Sequence, residues 1–146
     1  LFETEALLQD LLPKAMPHSI AFPQGTPRCK DGDYREIIKA EDWIARSGVD
    51  GFNSGASCDL GYLKCIDASG LSFLEIRELI AQAEALERWV VLAVGGVGSG
   101  KRAIDASVHR DLCRWLSARD DEIWVDAVSV IGNYLRQDRT TRFQLV

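Results

Sequence analysis

Phe73, Ile76, Leu79, Ile80, Ala83 and Leu86 fall on one stripe of a helix, and mostly charged or polar residues fill the positions between them. Ser72 and Glu75 ahead of the stripe form an S-x-x-E capping box, in which each side chain satisfies a backbone N–H of the first turn. A second helical spacing runs through Tyr34, Ile37, Ile38 and Ile44, with Trp43 flanking it, Asp33 as its cap and Ser47-Gly48 as its stop. Val108, Leu112, Cys113, Trp115 and Leu116 predict a third helix. Asp126 followed by Val128, Ile131 and Leu135 predicts a fourth. Residues 3–12 make a short amphipathic helix closed by Pro13.

Between these segments lie short apolar runs. Residues 19–22 read as a strand ended by Pro23, residues 49–52 and 62–65 as brief strands, and residues 122–125 as a late one. Residues 89–94 are apolar throughout, as in a parallel strand buried on both faces. Residues 24–32 read as a loop leaving the first strand. Residues 53–70 show no sustained periodicity and read as a long excursion. Strands and helices alternate, which predicts an α/β fold of parallel β/α units with right-handed crossovers and no internal repeat. A small open sheet and about half of a closed barrel both fit this pattern.

Composition narrows the function classes. A hydrophobic content of 47% with 27% charged residues is that of a globular domain with a real core. The net charge of −5 argues against a general nucleic-acid or anionic-membrane surface, because such binding neutralises phosphates with clustered Lys and Arg. No apolar run approaches the roughly 20 residues of a membrane helix. Cys29, Cys58, Cys65 and Cys113 form no C-x-x-C pair, and only His18 and His109 offer imidazole, so no zinc-finger spacing exists. A bridge between Cys29 and Cys58 is left open. Met16 is the sole methionine, so Leu1 is read as following a processed or omitted segment.

The stretch WVVLAVGGVGSGK, residues 89–101, admits two readings. Gly95, Gly100 and Lys101 satisfy the G-x-x-x-x-G-K part of a phosphate-binding loop, but Arg102 stands where Ser or Thr must coordinate Mg²⁺. Alternatively, residues 89–94 are a late strand of a parallel barrel, with Gly95 at the C-terminal end where catalytic side chains stand. Asp126 after an apolar run is similar to a Mg²⁺-binding aspartate, although its position just before a helix reads more simply as a cap. His18 and His109 read as structural, and Trp43, Trp89, Trp115 and Trp124 as core.

The ordered landmarks resemble the C-terminal half of NodB-like polysaccharide deacetylases. Ser19-Ile20-Ala21-Phe22-Pro23-Gln24-Gly25 is similar to that family's strand ending in aromatic-Pro-x-Gly. Cys58-Asp59-Leu60, Leu71-Ser72-Phe73-Leu74-Glu75, Arg88-Trp89-Val90-Val91-Leu92-Ala93 and Ile123-Trp124-Val125-Asp126-Ala127-Val128 follow in order, the last with Ile131, Tyr134 and Leu135 behind it. The resemblance implies a single partial domain over residues 1–146, the later part of a deformed (β/α) barrel. It implies metal-dependent hydrolysis of acetyl groups on a carbohydrate, in a secreted or cell-envelope protein. Zinc or another divalent metal would be held by an Asp and two His of the N-terminal half, so no cofactor is expected from this chain itself.

Within the chain, the resemblance carries over the backbone N–H of Gln24 as the oxyanion donor. Pro23, Gly25 and Arg28 fall around the substrate. Gly95 stands at the position of the family's general-acid histidine, a replacement that removes the acid. Ala21 stands where many members have an arginine. The expected partners are a carbohydrate and either the missing N-terminal segment or a second copy to complete the barrel. A nucleotide-binding protein or phosphotransferase using Gly95, Gly100 and Lys101, and a non-catalytic carbohydrate-binding module, are the alternatives.

Overall fold

The computed structural model describes residues 19–30 and 32–144, the side chains of residues 142–144 excepted. The helix predicted over residues 3–12, and His18, lie outside them. β1 (Ser19–Ala21) runs into a tight turn at Pro23–Gly25, where Gln24 and Gly25 take left-handed backbone with φ of 54° and 74°. The following loop contains a small antiparallel hairpin, β2 (Arg28–Cys29) with β3 (Gly32–Asp33). The Asp33 carboxylate accepts from the Arg35 backbone N–H at 2.9 Å and opens α1 (Arg35–Ala40).

That helix ends earlier than its apolar spacing predicts. Asp42 turns left-handed, with φ of 54°, and Ile44 begins β4 (Ile44–Arg46) instead of closing the helix. The strand predicted at residues 49–52 is therefore displaced to Ile44–Arg46, which pairs in parallel with β1. β5 (Asn53–Ser54) follows, and then a segment in which Leu63 bridges Arg46 in parallel before β6 (Ile66–Asp67). Leu63 donates to Ala45 O and accepts from Ser47 N–H, both at 2.8 Å.

α2 (Phe73–Ala85) bears out the capping box: Glu75 N–H donates to the Ser72 hydroxyl, and Ser72 N–H donates to the Glu75 carboxylate at 2.7 Å. Ser72→Ala is expected to lower stability by about 1 kcal/mol, read as a lower urea midpoint at unchanged slope. The apolar run after α2 is not one strand. β7 (Arg88–Trp89) pairs antiparallel with β5, and β8 (Leu92–Ala93) pairs parallel with β6. β9 (Gly96–Val97) and β10 (Ala103–Ile104) then form a short parallel pair across the glycine loop. α3 (Ala106–Ser117) and α4 (Val128–Gln144) complete the fold.

The structure is thus α/β, and its parallel segments are laid down in sequence order, β1 beside β4, β4 beside the segment of Leu63 and β6, and β6 beside β8. The strand predicted at residues 122–125 does not form: Trp124 and Val125 are 50% and 59% exposed, and no ladder pairs them. β-propensity is realised only against a partner strand. The Asp126 carboxylate accepts from the adjacent Ala127 N–H, just ahead of α4.

Three clusters make the core. Ala68, Ile76, Ile80, Ile104 and Leu112 join α2 to α3. Phe22, Ile38 and Ala45 join α1 to β1 and β4, and Cys65, Val91 and Ala93 line the β6–β8 pairing. Trp115, Trp43 and Trp89 pack on these clusters in turn, as expected of core tryptophans, whereas Trp124 stacks edge-on against Tyr134 at the surface. Cys29 and Cys58 are free thiols, so the bridge left open by the sequence is not made.

Candidate functional site at the strand ends

The parallel strands bring their C-terminal ends to one polar cavity of about 330 Å³. Phe22, Gln24 and Gly25 come from the end of β1, and Arg46, Gly48 and Asp50 from the end of β4 and the loop after it. Cys65 and Asp67 come from the β6 segment, and Arg102 from the glycine loop. In α/β folds, ligands bind at this end of the strands because the loops there carry side chains that the sheet holds in register.

Two glycines make the floor possible. Gly48 N–H donates to Gly25 O at 2.7 Å, and the two backbones lie so close that a Cβ on Gly25 would stand 2.5 Å from Gly48 Cα. The aromatic-Pro-x-Gly turn and the chain leaving β4 are therefore locked together. Gln24 faces the cavity at the top of that turn.

Across the cavity, Arg102 donates to Asp67 from Nε at 2.9 Å and from Nη2 at 2.6 Å. Asp67 also accepts from the Ser69 hydroxyl at 2.5 Å, and the Ser69 hydroxyl lies 2.6 Å from Arg102 O. These bonds, first Ser69 and then Arg102, hold the Asp67 carboxyl below its usual value of 3.8. A depressed folded pKa stabilises the native state at neutral pH, and that contribution is lost as pH falls through 3.8 toward the lower folded value. The expected outcome is that Asp67→Asn flattens the acid limb of the stability profile below about pH 4; urea midpoints at a series of pH values read it. The pair is exposed, so the effect is small.

Arg46 is different. It is half-buried, and among the described residues its side chain meets the Cys65 thiol, at 3.8 Å from Nη1, and no carboxylate. Asp50 likewise makes no ion pair among the described residues.

Of the residues singled out in the sequence, Gln24 and Gly25 line the cavity, while Pro23 is exposed in the turn beside them and Arg28 lies exposed on β2, away from its lining. Gly95, Gly100 and Lys101 do not line it either. Gly95 N–H donates to Arg102 O at 2.7 Å, and a Cβ at Gly95 would meet Lys101 O at 2.7 Å and the Arg102 Cβ at 3.0 Å. What the glycine loop presents to the cavity is Arg102, in left-handed backbone with φ of 61°.

Two backbone N–H groups of the same loop are not free to cradle a phosphate. Its Gly95 and Gly98 N–H groups are spent on Arg102 O and Ile104 O. The next helix starts at Ala106, not at Lys101, and the Asp105 carboxylate caps it by accepting from Ser107 N–H at 2.7 Å. A carboxylate already occupies the end of the helix that would attract an anion.

Arg46, Asp50, Asp67 and Arg102 were not legible as a site, since they come from three separate segments that share no spacing. Arg102 alone left a signal, as the residue that breaks the P-loop pattern. His109 sits half-buried on α3 with its ring nitrogens 3.9 Å from the Cys113 thiol, away from the cavity. The described residues bring no group of three or more His, Cys, Asp or Glu together, so they do not by themselves fit a metal centre. A larger cavity of about 550 Å³ is lined mainly by apolar side chains, among them Trp89, Val91, Trp124 and Leu135, with Glu84, Arg88, Glu122 and Asp126 also in its lining. The chain matches no protein-family model, no curated protein and no solved structure.

Proposed function

We propose that the chain is the later part of a polysaccharide-deacetylase-like (β/α) barrel whose strand ends bind a carbohydrate, and that by itself it binds without hydrolysing. The observation that carries this reading is the convergence of β1, β4 and β6, laid side by side in sequence order, on a polar cavity that holds the aromatic-Pro-x-Gly turn. A barrel wall is built from strands in that order. The cavity is large enough for a sugar ring, and its guanidinium and carboxylate groups match the hydroxyls of one.

In this reading the Gln24 N–H, at the top of the turn, faces the carbonyl oxygen of a bound acetyl group and stabilises negative charge as it develops there. Protonation of the leaving group has no side chain at Gly95 to perform it. Loss of a general acid slows such a reaction by about 10²–10⁴-fold. The metal that the resemblance implies belongs to the other half of the barrel, and the steps assigned here run through this chain's own groups. β1 and β8 each pair on one side only among the described residues, and a preceding segment or a second copy would cover those edges.

The test is a thermal-shift and product assay of the chain with acetylated xylo- and chito-oligosaccharides and with ATP. Stabilisation by the oligosaccharides without acetate release is the expected result. Stabilisation by ATP alone, abolished in Lys101→Ala, would overturn it.

A further inference from the structure

The cavity at the strand ends has an unequal charge arrangement. Arg102 and Asp67 satisfy each other through two hydrogen bonds. Arg46, half-buried in the same lining, meets among the described residues only a thiol, a weak acceptor, at 3.8 Å. A partly desolvated guanidinium without an oxygen acceptor is costly, and a carboxylate offering two parallel oxygens is the partner its planar fork fits best. We infer that Arg46 is the anchor for a carboxylate on the bound sugar, so that the site prefers an acidic saccharide carrying a uronic acid to a neutral one. This rests on the carbohydrate reading of the cavity proposed above.

Three features of the cavity select that ligand over other anions and over cations. Asp50 and Asp67 line the same space and repel a phosphate dianion more strongly than a singly charged carboxylate. The same two carboxylates accept hydrogen bonds from ring hydroxyls, which an inorganic anion lacks. Arg46 and Arg102 together oppose a bare cation. Arg102 also lines the cavity and is more exposed, so it completes the recognition once Asp67 shares it.

Calorimetric titration of the full chain decides the matter, using three probes: an acetylated xylo-oligosaccharide bearing one glucuronic acid, the same oligosaccharide without it, and inorganic phosphate. The acidic oligosaccharide is expected to bind about tenfold or more tightly than the neutral one. Arg46→Gln is expected to erase that difference, weakening the acidic oligosaccharide far more than the neutral one. If Arg46→Gln does not fold, Arg102→Gln, an exposed position, is expected to reduce the same preference. Equal affinity for the two sugars, or a preference that survives both substitutions, overturns the inference and leaves the carbohydrate reading standing. Phosphate binding more tightly than the uronate also overturns it. Binding of none of the three overturns both.

Discussion

Gly25→Ala is expected to destabilise the protein by about 3 kcal/mol or more, through the sum of two effects. Gly25 sits at φ of 74°, where a Cβ costs about 1–2 kcal/mol in crowding against its own backbone. The added methyl would also stand 2.5 Å from Gly48 Cα and 2.8 Å from Gly48 N, and both are backbone atoms. They can yield only by breaking the Gly48 N–H to Gly25 O bond that joins the first turn to the end of β4. Overpacking of this kind adds about 1–3 kcal/mol. Gly70→Ala is the control: its φ of 72° is nearly the same, but nothing lies within 4 Å of its Cβ position. Urea midpoints are therefore expected to fall much further for Gly25→Ala than for Gly70→Ala. Equal losses would mean that the close approach under the cavity is absent.

Gly95→His, which would put the general acid of the deacetylase pattern back at its position, is expected to fail as a repair. Its Cβ would stand 2.7 Å from Lys101 O and 3.0 Å from the Cβ and O of Arg102. The loop must open to admit it, the Gly95 N–H to Arg102 O bond is lost, and Arg102 moves off Asp67. The expected outcome is a loss of about 1–3 kcal/mol of stability with no acetate released from acetylated oligosaccharides. A variant with the parent's stability that releases acetate would show that the position is still shaped for an acid. The chain after Gly95 packs closely against it through Lys101 O and Arg102, which leaves no room for a side chain there.

These two glycines also mark how far the sequence could be read. α2 was legible because its start carries a capping box and its stripe is long, two signals that agree. The helix ending at Ala40 was not, since Ile44 continues the helical spacing while a left-handed Asp42 has already turned the chain into β4. Residues 122–125 have the composition of a strand but no partner in register, and strand formation depends on that partner. For the site, the Pro23–Gly25 turn was legible as a motif of adjacent residues. Arg46, Asp50, Asp67 and Arg102 were not, because parallel pairing brings them together from three segments and leaves no local spacing to detect.

The parallel order of the strands, the locked glycine pair and Arg46, which meets no carboxylate among the described residues, all bear on one claim, that the ends of β1, β4 and β6 form a carbohydrate site. The most direct measurement is an amide-resolved NMR titration of the chain with an acetylated, uronic-acid-bearing xylo-oligosaccharide. The account predicts shifts confined to Gln24, Gly25, Arg46, Gly48, Asp50, Asp67 and Arg102. Shifts centred instead on Gly98 to Lys101, or on the apolar cavity around Trp89 and Trp124, or none at saturating sugar, would contradict it.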